Sequence, residues 1–201
     1  LLLSGGATLG LEVPMTREAF QNASTQGSDS KPAKIVESYH LGTRQLATGT
    51  IDIYLSTPYS RALYRASKQR KSPTQEALDH QWEETKEERA VYLLVTSIGS
   101  PSSTFIAPRK GEPSIEHASI RKPAGSGALH AASSQGRVKK GKHEYAESLG
   151  MNWGTIFEFD AALLAGDEDI EVIVDTTSHR AVIPIGRGNL KALIENAKPH
   201  E

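Results

Sequence analysis

The segment Gly136-Arg137-Val138-Lys139-Lys140-Gly141-Lys142-His143 has the glycine and lysine placement of a phosphate-cradling loop. In such a loop backbone amides surround the phosphates and a hydroxyl after the lysine holds magnesium. Here His143 stands where the hydroxyl belongs. The residues before Gly136 do not read as a buried strand, and none of those after His143 clearly read as an amphipathic helix. The segment is therefore a solvated basic loop, and no nucleotide or other cofactor is expected.

Seven histidines, His40, His80, His117, His130, His143, His179 and His200, would suffice for a metal centre if three met a carboxylate. Their spacing does not bring them together. The chain has no His-x-His and no His-Glu-x-x-His, and the neighbours Glu116-His117 and His143-Glu144 diverge if they lie on strands. No metal is read from the spacing.

Gly125-Ser126-Gly127 is the nearest approach to a nucleophile elbow, but the full Gly-x-Ser-x-Gly is absent. Glu158, Asp160, Asp167, Glu168 and Asp169 are close enough in sequence to supply an acid and a base. The same run also describes a strand end followed by a polar turn. Trp153 stands at the entry to a strand, where it either closes the core or offers a recognition platform. The candidate surface is thus His130, His143, Asp160 and Trp153, drawn from one long segment and its exit.

The elements that must position these residues are legible in part. Thr50 to Leu55 alternates, with Ile51, Ile53 and Leu55 on one face, as in a half-buried strand. Ile35-Val36 reads as a short strand before it. Ser56-Thr57-Pro58 stops the strand and starts a helix, because Thr57 caps orphan amides and Pro58 suits the first helical position. Tyr59, Ala62, Leu63 and Ala66 form its apolar stripe, with Arg61, Arg65 and Lys68 on the other side. Ser72 to Gln75 repeats the start signal as a capping box, and a second helix from Pro73 to about Glu88 follows, with Leu78 and Trp82 inward. The two helices form an inserted hairpin over 57–89 whose rows of opposite charge neutralise one another.

Val91 to Val95 is a continuous apolar run, the mark of a central strand. Thr104 to Ile106 and Ser114 to Arg121 read as shorter strands. Residues 122–150, dominated by Gly, Ala, Ser, Lys and His, form a long loop, where function concentrates. Thr155 to Phe159 alternates as a strand, and Glu171 to Asp175 and Ala181 to Ile185 flank a turn as a hairpin. Pro184 confines its strand to an edge. Leu190 to Ala197 reads as a terminal helix.

A chain of 201 residues fits one domain. Its net charge of −1 provides no field to attract nucleic acid, and the absence of cysteine removes disulfides, thiolate metal sites and cysteine nucleophiles. No segment reads as transmembrane. The apolar start Leu1 to Gly10 is like the end of an export signal, which puts the protein in the periplasm or outside the cell, with a cytoplasmic protein as the alternative. Residues 21–34, rich in Ser, Asn, Gln, Gly and Pro, read as linker. Residues 1–33 are then a flexible arm, and removing Leu1 to Lys31 leaves the unfolding midpoint unchanged.

The expected architecture is a mainly β, antiparallel sandwich-like domain over 34–201 with a helical insert, with α+β as the alternative. The expected function is a non-catalytic exported module that binds another protein or assembles with itself. The alternative is a hydrolase whose site lies in the 122–150 loop and the nearby carboxylates. A pocket joining His130 or His143 to one of those carboxylates would favour the enzyme.

Overall fold

The computed structural model describes residues 15–46, 49–69, 73–88, 90–99, 115–122, 133–139, 144–145, 155–164, 168–177 and 179–190. Nine strands are described: β1 (His40–Leu46), β2 (Gly49–Ser56), β3 (Val91–Gly99), β4 (Ile115–Arg121), β5 (Ser133–Gln135), β6 (Arg137–Lys139), β7 (Thr155–Phe159), β8 (Ile170–Thr176) and β9 (Arg180–Ile185). They form two antiparallel sheets, ordered β1-β2-β3-β7-β6 and β5-β4-β8-β9. Ile51, Ile53 and Leu55 are buried on one face of β2, as their alternation demands, and β3 lies at the centre of its sheet. The hairpin β8–β9 forms with Pro184 on the edge strand. With four helices, α1 (Arg17–Ser28), α2 (Pro32–Ser38), α3 (Pro58–Lys68) and α4 (Gln75–Thr85), the described residues make an α+β fold.

The two sheets meet at a glycine. The chain leaves the second sheet at Gln135 and enters the first at Arg137, and the Gly136 amide between them donates to the Ala118 carbonyl at 2.8 Å. A Cβ on Gly136 would lie 2.5 Å from Phe159 Cζ and 2.9 Å from Phe157 Cβ, so only glycine lets the corner close on those rings. Residues 122–150 are therefore not one strandless loop. Gly136 has the composition of a loop residue and the steric role of a tight strand switch.

The largest departure is at the N-terminal end. Residues 17–28 are not an arm but α1, capped by Thr16 accepting from the Ala19 amide at 3.2 Å. Phe20, Ala23, Ser24 and Gly27 are buried, a stripe at helical spacing. Ala, Ser and Gly resemble linker residues by composition, yet they are what permits close helix approach. A Cβ on Gly27 would come 2.3 Å from the Leu63 carbonyl of α3. Ser24 enters the interface by donating to its own helix at Phe20 O, 2.9 Å away. Ile35 and Val36, expected on a strand, are the buried residues of α2, started by Pro32.

Helix α3 begins as its sequence dictates, with Thr57 and Ser60 forming a reciprocal capping box. Its principal helical neighbour is α1 rather than α4. It is buried nearly all round, and Arg61, expected on the open side, is only 4% exposed. Phe20 and Trp82 join α1 to α4 through rings 5.7 Å apart. One hydrophobic core gathers residues from both sheets and from α1, α2 and α3. Among the described residues no helix is long and apolar enough to cross a membrane. Thr104 to Ile106 lie outside the described residues; of the terminal helix expected over Leu190 to Ala197, residues 187–190 are helical with Leu190 buried, and the rest lies outside the described residues.

Candidate functional site

Where β2 runs into α3, the chain buries a cation. Arg61 Nε and Nη2 donate to Glu88 Oε2 at 3.0 and 2.8 Å, Nη2 also to the Ala90 carbonyl at 3.1 Å, and Nη1 to the Ser56 carbonyl and hydroxyl at 3.2 and 3.3 Å. A guanidinium has five N–H donors, and here every one has an acceptor. The same group stacks 4.8 Å over the Tyr92 ring. Arg61 is thus a staple that ties the end of β2 and the start of α3 to the residues leading into β3. Nothing in it is left for a ligand.

Arg65, one turn further along α3, is different. Its side chain is 41% exposed and shared between Glu88, 3.3 Å away, and Glu144, 3.2 Å away. Beside it opens a cleft of about 370 Å³ between α1, α3 and α4, lined by Phe20, Ala62, Arg65, Gln81, Glu84, Thr85 and Glu88. Phe20 and Ala62 make an apolar floor, and the rim carries one cation, two carboxylates and an amide. A cleft of this volume has room for a small molecule or a single inserted side chain.

Glu144 and Tyr145, the described residues of the 140–150 stretch, dock on the same helix. Tyr145 is fully buried and donates its hydroxyl to Ser60 Oγ, and its ring packs 5.3 Å from Tyr64. Burial also pushes the Tyr59 phenol up to about 12. Burial raises the Glu144 carboxyl above the usual glutamate value of 4.5, outweighing the Arg65 guanidinium that draws it down. The native state therefore holds this proton more tightly than the unfolded chain does. Its contribution to stability is present below pH 4.5 and is lost as the pH rises through the raised value. Glu144→Gln should remove this dependence. The variant is expected to gain on the parent between about pH 4 and pH 7 in urea unfolding, and a constant difference across that range would refute the assignment.

The residues singled out from sequence are only partly placed. His130, His143 and Trp153 lie outside the described residues. Asp160 is exposed at the end of β7, where its carbonyl accepts from Leu163 N at 3.1 Å to start the turn Ala161–Leu163. The expected neutralisation across a 57–89 hairpin is met, among the described residues, only at Glu88, which pairs with Arg61 and Arg65, whereas Asp79 pairs with Arg17 of α1 and Glu83 with Lys86 of its own segment. Among the described residues no group of three or more His, Asp or Glu side chains comes together. The cleft and the Arg65–Glu144 pair were not legible, because the cleft depends on α1 being a helix and the pair on residues 144–145 returning to α3. This chain matches no protein-family model, no curated protein and no solved structure.

Proposed function

We propose that the protein is an exported, non-catalytic binding module that recognises a partner protein through the cleft between α1, α3 and α4. The observation that carries the reading is the cleft itself, where Phe20 and Ala62 offer apolar contact beneath a rim of Arg65, Gln81, Glu84 and Glu88. A partner segment would insert one apolar side chain onto the floor and exchange hydrogen bonds with the rim. The test is amide NMR of the full chain titrated with a panel of blocked tripeptides carrying Leu, Phe, Lys or Asp at the centre. Shift changes centred on Ala62, Arg65, Gln81 and Glu84, and abolished by Ala62→Gln, support the module. Changes confined to other surfaces, or none at millimolar peptide, refute it.

Glu144 favours the second reading, a hydrolase using the 122–150 segment. A partly buried carboxyl held above its usual range beside a cleft is the environment of a general acid. This reading expects turnover of a chromogenic ester or glycoside by the parent, falling at least about a hundredfold in Glu144→Gln. Undiminished turnover in that variant eliminates it.

A further inference from the structure

On the outer part of the first sheet, away from the helix cleft, a bulge changes which side chains meet. The pairing of β1 with β2 sets His40 opposite Tyr54, then Gly42 opposite Ile53 and Thr43 opposite Asp52, with the register shifting between His40 and Gly42. In a regular strand, residues three apart point to opposite faces. The extra residue, Leu41, cancels that phase and puts His40 and Thr43 on the face that carries Asp52.

The three polar atoms converge. His40 Nε2 lies 3.3 Å from Asp52 Oδ1 and 3.1 Å from Thr43 Oγ1, and Thr43 Oγ1 lies 2.5 Å from Asp52 Oδ1. In an octahedral site with metal–ligand bonds of ~2.1 Å, adjacent donors stand ~3.0 Å apart, and the three sides of this triangle bracket that length. Across the sheet from Asp52 stands Thr96, fully buried, with no hydrogen-bond partner for its hydroxyl. The register places that hydroxyl on the same face.

We propose that His40, Thr43 and Asp52 form one face of a binding site for a six-coordinate divalent cation of the Mn²⁺ or Co²⁺ class, with water on the open side. One imidazole, one carboxylate and one neutral hydroxyl are a mixed, mostly hard donor set, which suits such an ion better than the tetrahedral thiolate-rich environment of structural zinc. Asp52 is the only charged ligand, so binding is modest and reversible. The hydroxyl stays protonated as a neutral donor, and the ion displaces its hydrogen bond to Asp52.

The test uses the full chain and MnCl₂ or CoCl₂ alone. Amide NMR with substoichiometric Mn²⁺ should broaden residues 40–43 and 52 first, and calorimetry with Co²⁺ should show one site. Asp52→Asn and His40→Gln should each weaken that binding at least about tenfold. Thr43→Val, at an exposed position, should weaken it less. Co²⁺ should raise the midpoint of the parent but not of Asp52→Asn. The His80–Glu84 pair on α4, 3.5 Å apart, is the internal competitor. Broadening centred there and removed by His80→Gln, or binding indifferent to Asp52→Asn, would overturn the site.

Discussion

Deleting residues 1–31 is expected to cost the protein a large part of its stability, opposite to what their linker-like composition suggests. The deletion removes all of α1 together with Met15, and takes away the buried side chains Met15, Phe20 and Ala23. Burying one Phe or Met side chain stabilises by about 1.5–3 kcal/mol, and the deletion also exposes the faces of Leu63 and Ala66 on which Gly27 packs. The sum is several kcal/mol against a usual total of about 5–15 kcal/mol. Urea unfolding should show a much lower midpoint and a smaller slope, since less surface is then buried. An unchanged midpoint would show that α1 does not pack as described. Gly27→Ala tests the same contact within the full chain. A Cβ there meets backbone rather than a flexible side-chain end, so α1 and α3 must separate, a strain of about 1–3 kcal/mol.

Arg61→Met is expected to be nearly as damaging, by about 3–5 kcal/mol, the usual cost of breaking a buried ion pair from one side. Methionine fills much of the volume, so the loss reports the charge. It strands the Ser56 and Ala90 carbonyls and leaves Glu88, 28% exposed, without its buried partner. Arg61→Lys should recover little, because a single ammonium cannot reach acceptors arranged around a planar fork. Arg65→Met is the control. Its side chain is 41% exposed and its pairs are screened by solvent, so about 1 kcal/mol or less is expected. Equal losses at the two arginines in thermal or urea unfolding would remove the distinction drawn between staple and rim.

These predictions turn on how the chain announces its helices. Thr57-Pro58 starts α3 where the Thr57 side chain caps a free amide, and that chemistry is local and readable, while α4 starts two residues after the expected Pro73, with Thr74 as its cap. The alternation in β2, the apolar run of β3 and the hairpin β8–β9 are readable for the same reason, since one residue's face follows from its neighbour's. Helix α1 has a cap as well, at Thr16, but its buried stripe is one phenylalanine followed by Ala, Ser and Gly. Those residues bury little area of their own, and their role is to let another helix come close.

The sequence by itself determined the cysteine-free chemistry, the near-neutral charge, most of the strands and the two capped helices, because each rests on residue type or short-range periodicity. Tertiary structure decided that α1 closes over α3, that Gly136 passes the chain from one sheet to the other, and that Arg61 turns inward while Arg65 faces a cleft. It also decided that the bulge at Leu41 sets His40 and Thr43 beside Asp52. Each of these depends on a contact between segments far apart in the chain, and whether a small residue, a glycine or an arginine is spacer, corner or staple is settled only by what stands opposite it.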